Sequence, residues 1–254
     1  YKDRVVGTER HGYTNEFVDT QSWAQFKYAC RTAIAESVIV VIYGEPGIGK
    51  TRCLQKYKVE KVTTMPVHVV CSANVTTKYF ARKIARELRL NERLPTCDLE
   101  DLIVEKLRKN PRPIFVDQAN YLNEKALGSI CYIWEEARVP IVLIGTKDLY
   151  TLFNQSTLTQ DVRTQLSSRV AWHCQLMKLK IEEVKSICDR ALGSIATTEA
   201  VRKVYEVTQG NHRHLDMLLP RILSSVSANK DGLESGSILI TNIIEKASDR
   251  IMVG

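Results

Sequence analysis

Seven cysteines are scattered through 254 residues, and no two of them form a C-x-x-C pair. That absence speaks against a zinc site, and the odd number speaks against a disulfide framework. A reducing, cytoplasmic setting is the expectation. Long apolar runs are missing as well. The longest, Val38 to Tyr43, is far too short to cross a bilayer, and no signal peptide is visible, so no membrane contact is expected. Internal repeats and low-complexity tracts are absent, which removes solenoid and fibrous architectures. The chain opens on Tyr1 rather than methionine, and further terminal segments are expected.

What is present suits a globular protein with a sizeable core. Apolar residues make up 44% of the chain and charged residues 26%, with both signs interspersed. The balance is basic, at +7 with an isoelectric point near 9.0, which favours a polyanionic partner. From residue 20 to about 175, short β-branched runs alternate with amphipathic helices. Strands are predicted at Val38–Tyr43, Val67–Cys71, Pro113–Val116, Ile141–Ile144 and Val170–Gln175. All but the last are nearly continuous apolar runs, as in a parallel sheet covered on both faces. Helices are predicted at Ser22–Glu36, Lys50–Val59, Thr76–Arg89, Leu99–Lys109 and Glu124–Arg138. This alternation predicts a five-stranded α/β core over residues 1–177.

Beyond residue 178 the strand signals stop. Ile181–Leu192, Thr198–Thr208, His212–Ser227 and Ser237–Met252 all carry helical periodicity, which predicts a small helical lid over 178–254. Pro220 is expected to kink or divide the third of these helices.

The chemistry concentrates in Gly44-Glu45-Pro46-Gly47-Ile48-Gly49-Lys50-Thr51, with Arg52 following. Glycines let successive backbone N–H groups converge on anionic oxygens, and a helix N-terminus adds its positive dipole end. Lys50 is placed to reach the β- and γ-phosphates of ATP, and Thr51 to ligate Mg²⁺. A second carboxylate belongs at the end of another core strand, and Ile114-Phe115-Val116-Asp117 supplies it. On local sequence alone, Asp117 could instead cap the next helix.

With these residues in place, the chain resembles the AAA+ transposition regulators of the TnsC/MuB type over nearly its whole length. Phe17-Val18-Asp19-Thr20, followed by a helix ending at Glu36, looks like the family's adenine-side lead-in. Ile144-Gly145-Thr146, Leu166-Ser167-Ser168-Arg169 and Gly210-Asn211-His212-Arg213 fall in the expected order. The resemblance implies that Thr146 is a polar sensor of the γ-phosphate or the water, and that Arg213 is a sensor arginine closing from the lid. Arg169 would be a finger donated to a neighbour's site, with Arg163 as a rival. The bland readings are a turn residue at 146 and a surface arginine at 213. Gln118 departs from the pattern, because such ATPases usually place a glutamate there to polarise the attacking water. An amide orients a water but is a poor proton acceptor. Good ATP binding with slow hydrolysis is the expectation.

The resemblance further implies a homo-oligomer, a ring or filament on duplex DNA, that recruits or stimulates a transposase. A separate target-selection protein would choose the DNA. On the predicted helix Thr76–Arg89, Lys78, Arg82, Arg86 and Arg89 run down one side, with Lys83 nearby. That stripe suits sequence-tolerant phosphate contacts. Family geometry favours Thr77 and Lys78 in a central channel. A solvated helix face is the alternative. Arg108, Lys109 and Arg112 form a second basic group at a helix C-terminus, where cations also complement the dipole. Two other functions compete: an initiator or helicase-loader ATPase, and a nucleotide-switched signalling scaffold that binds no nucleic acid.

Overall fold

Strands that are apolar on both faces require cover on both faces. The computed structural model describes residues 17–60, 65–154, 164, 166, 168–228 and 237–249. It meets that requirement with five parallel strands: β1 (Ile39–Tyr43), β2 (Val67–Val70), β3 (Ile114–Asp117), β4 (Ile141–Gly145) and β5 (Val170–Gln175). Their order across the sheet is β2-β3-β4-β1-β5. Alternate residues of β1 serve the two faces. Ile39, Val41 and Tyr43 join one core cluster with Phe80, Ile84, Leu99, Ile103 and Leu107. Val40 and Ile42, also fully buried, point to the opposite face. The helices of this part are α1 (Gln21–Glu36), α2 (Lys50–Glu60), α3 (Thr77–Glu87), α4 (Thr96–Lys109), α5 (Glu124–Ala137) and α6 (Lys147–Asn154).

Both neighbours of β1 come later in the chain than β1 itself, so the crossovers diverge on either side of it. Open α/β sheets bind ligands at such a switch point, beyond the carboxyl ends of the strands. The loop 44–49 lies at that end of β1.

Four further helices follow: α7 (Ile181–Leu192), α8 (Thr198–Thr208), α9 (His212–Ala228) and α10 (Ser237–Asp249). They share their own core, built around Val184, Cys188, Val204, Leu215, Leu219 and Ile244. By packing, the chain falls into two units. One comprises Ala24–Pro46 and Lys50–Leu176; the other comprises the residues up to Trp23, Gly47–Gly49 and Met177–Gly254.

Four elements differ from expectation. Helix α4 begins at Thr96, three residues before Leu99. Helix α3 begins at Thr77, with Thr76 as its cap: the Thr76 hydroxyl accepts from Tyr79 N at 3.2 Å. It ends at Glu87 and not at Arg89, whose φ of 59° is left-handed. Helix α6 was not expected at all. Pro220 lies inside α9 without dividing it, since the helix is continuous from His212 to Ala228.

Candidate phosphate site and basic helix

The loop after β1 is glycine-dependent for two reasons. Gly47 and Gly49 have φ of 82° and 94°, a region that side chains disfavour. A Cβ on Gly47 would also sit 2.4 Å from Asn211 Oδ1, and one on Gly49 would sit 3.0 Å from His212 Cδ2. Ile48 between them is buried and anchors the loop. Lys50 opens α2 with its ammonium folded back onto the loop, donating to the carbonyls of Gly44 and Glu45 at 2.8 Å each.

Thr51 and Asp117 meet. The Thr51 hydroxyl donates to Asp117 Oδ2 at 2.9 Å, and the Gln118 N–H donates to Asp117 Oδ1 at 2.9 Å. Asp117 is only 3% exposed. Burial pushes its carboxyl above the usual range; the Thr51 and Gln118 hydrogen bonds and the Lys50 charge oppose the rise. A buried carboxylate beside a hydroxyl, at the end of a strand, is an oxygen donor set suited to Mg²⁺. Gln118 is exposed, with φ 57° and ψ 37°, at the sharp turn from β3 into the short 3₁₀ turn Ala119–Tyr121.

The other expected residues are more engaged. Thr146 stands at the end of β4, but its hydroxyl donates to Asp148 Oδ2 at 3.0 Å, at the start of α6. Its N–H donates to Asn120 Oδ1 at 3.3 Å. The amide of Asn120 also lies against Gly145, where a Cβ would come within 3.1 Å of it. Asn120 therefore ties the turn after β3 to the end of β4, and sequence reasoning missed it. Arg169 Nε donates to Glu135 Oε1 of α5 at 2.8 Å, and the two groups form an ion pair. Any role toward a neighbour requires that pair to open. Arg163 lies outside the described residues. Arg213 is exposed in the first turn of α9, where its N–H donates to Gly47 O at 3.0 Å and to Asn211 Oδ1 at 2.9 Å.

The basic helix is less uniform than its spacing suggests. Arg82 Nε donates to the carbonyl of Glu92 at 3.0 Å, and Arg86 pairs with the Glu92 carboxylate at 2.8 Å. Lys83 donates to Val70 O at 2.5 Å and lies over the Tyr79 ring. Arg82 and Lys83 hold neighbouring backbone in place, and Arg86 holds the Glu92 side chain. Lys78 is exposed, with no ion pair among the described residues. Thr77 sits beside it, its hydroxyl 3.4 Å from Asn123 Oδ1. In the second basic group, Arg108 pairs with Glu136 and Lys109 with Glu105.

Comparison with known proteins agrees with this geometry. A family described as an AAA domain matches residues 35–153. The Mu-like prophage FluMu DNA transposition protein B of Haemophilus influenzae is 25% identical over 196 residues, covering 76% of this chain and 67% of that protein. The ATP-dependent target DNA activator B of Escherichia phage Mu is 25% identical over 174 residues, 68% of this chain and 55% of that one. The chain thus spans between about half and two thirds of these relatives. Among solved structures, a Walker-type ATPase of Pyrococcus abyssi superposes with a TM-score of 0.62 at 12% identity, covering 97% of this chain and 74% of that one. Domain III of the Thermotoga maritima replication initiation protein DnaA gives 0.54 at 18% identity, covering 91% and 93%. Their likeness is one of fold. Strand order, phosphate loop and sequence relatives agree: the fold is that of the AAA+ P-loop proteins, residues 35–153 match the AAA domain family, and the chain is similar to the MuB-type transposition proteins.

Proposed function

We propose that the chain is an ATP-switched, DNA-binding regulator of transposition that assembles on duplex DNA and recruits or activates a transposase. The observation that carries the nucleotide half is the Thr51–Asp117 hydrogen bond beside Gln118, at the carboxyl edge of the sheet. Thr51 and Asp117 would hold Mg²⁺; the backbone from Gly44 to Thr51, with Lys50 and Arg52, would hold the phosphates. Lys50 would leave the Gly44 and Glu45 carbonyls to do so. Bound ATP supplies a γ-phosphoryl group that can be hydrolysed. Gln118 can orient a water through its amide but takes up its proton poorly, so assembly outlasts turnover. Thr146, held by Asn120, and Arg213, in the lid helices of 178–254, are the sensors in this reading. Arg169, released from Glu135, would act on a neighbour.

The DNA half rests on two supports. Relatives are named for DNA transposition and for ATP-dependent activation of target DNA. In this chain, the exposed Lys78 at the start of α3 has no carboxylate partner among the described residues, and Thr77 lies beside it. Arg82 and Arg86 then serve mainly to hold the 92 region and add a screened field. Duplex DNA binding with a non-hydrolysable ATP analogue, measured across a salt series, tests the reading. Binding should require nucleotide, be tolerant of sequence, and lose about one unit of salt slope in Lys78→Ala. DNA binding that ignores nucleotide, or is absent, contradicts it; absence would favour a signalling scaffold.

A further inference from the structure

The edge of the sheet opposite the phosphate loop carries a second concavity. Pro66, Pro113 and Pro140 immediately precede β2, β3 and β4, and all three line a cavity of about 480 Å³. Ser37, just before β1, lines it too. Since β1 is five residues long, this cavity lies roughly 15 Å from the phosphate loop. Helices α1 and α2 supply its walls through Ile34, Ala35 and Tyr57, and Phe115 of β3 contributes beneath. Tyr57 and Phe115 pack with ring centroids 5.9 Å apart, so that part of the lining is aromatic.

Among the described residues its charge has one sign: Arg31, Lys58 and Arg112 line the cavity and no carboxylate does. None of the three makes an ion pair among the described residues. Arg112 donates instead to three backbone carbonyls: Met65 at 2.6 Å, Glu87 at 3.0 Å and Pro66 at 3.3 Å. Those bonds fix the guanidinium and use its nitrogens, leaving its charge uncompensated. Lys58 is steered by His68, whose Nδ1 is 3.1 Å from the ammonium. Arg31 is exposed and unconstrained. Ile34 of the lining is 41% exposed, and Met65, adjacent to the lining residue Pro66 and bonded through its carbonyl to Arg112, is 76% exposed.

We infer that this cavity is a docking site for an acidic peptide segment of a partner protein, one that seats a large apolar side chain between α1 and α2 and sets its carboxylates against Arg31, Lys58 and Arg112. Charge complementarity selects the occupant, since three cations without a counter-ion call for carboxylates. The exposed Ile34 and Met65 argue for a segment rather than a small acid, which would leave them uncovered. Duplex DNA fits poorly, because a concave aromatic and proline floor offers no track for a phosphate backbone. The site stands apart from the phosphate loop and does not depend on the proposed function.

Panning a displayed library of random peptides against the purified full chain, then measuring affinities of the enriched peptides by fluorescence anisotropy, tests the inference. Enriched peptides should combine Asp or Glu with one large apolar residue. Arg31→Glu should weaken them by about tenfold or more. Ala35→Trp, which fills the cavity from an exposed helix position, should abolish binding without changing charge. Both variants should bind an ATP analogue and melt as the parent does. No enrichment over bare support, enriched peptides without acids, or affinities unchanged in both variants would overturn the inference. So would a short duplex DNA that displaces the peptides and is itself weakened by both substitutions.

Discussion

Gln118 combines an unusual backbone with an unusual side chain. Its left-handed conformation is uncommon outside glycine, asparagine and aspartate, and it turns the chain sharply away from β3, while its N–H donates to Asp117. The exposed amide is left at the mouth of the site. Replacing it with glutamate restores a proton acceptor, and steady-state ATP hydrolysis should rise by about 10²-fold; unchanged turnover would mean that Gln118 does not limit the reaction. His68 offers a test in stability. Burial, with Lys58 and then Lys83 adding, lowers its imidazole from 6.5 to about 4. A folded value below the unfolded one means that the neutral ring stabilises the fold above pH 6.5, and that this contribution is lost as pH falls from 6.5 towards 4. Over that window His68→Gln should lose less stability than the parent, by about 2 kcal/mol or less, in denaturant titrations at each pH. Parallel curves would contradict it. At this scale the sequence was readable wherever chemistry demands a residue type at fixed spacing, as in 44–51 and at Asp117. It was unreadable where a role is set by a partner distant in the chain. Asn120 becomes a tether only because β3 and β4 are neighbours, and Glu135 meets Arg169 from 34 residues away in the chain.

Elements were legible where the apolar period is long. The strands were found to within a residue or so, because β1, β3 and β4 are doubly covered, while β2 and β5 show mixed burial. Helix α6 escaped because its eight residues hold barely two turns, too few for periodicity to separate it from a loop. The boundaries of α3 were displaced because capping geometry decides them: Thr76 reads as helical by composition, yet it serves as the cap. Thr76→Ala should therefore destabilise the protein by about 1 kcal/mol, measured by denaturant unfolding, whereas a mid-helix threonine would gain slightly from the same change. Pro220 does not divide its helix. The helix runs through it, and Leu215, Leu218, Leu219 and Ile222 of the second core flank it on both sides. Packing there outweighs one lost backbone hydrogen bond.

For the whole molecule, a charge of +7 predicts attraction to polyanions but not where they bind. The fold divides that charge among different tasks. Arg82, Arg86, Arg108, Lys109 and Arg112 are spent on carboxylates or carbonyls of the same chain, while Lys78 and Arg31 are left to face outward, at α3 and beside the proline-lined cavity. A run of basic residues at helical spacing could not reveal this division, because it depends on where the neighbouring loops return. The central claim is that nucleotide at the Thr51–Asp117 site switches the chain into an assembly on DNA. Electron microscopy of the protein with duplex DNA, with and without a non-hydrolysable ATP analogue, tests it most directly. DNA-centred rings or filaments should form with the analogue and none without it; discrete particles off the DNA in both conditions would rule the switch out.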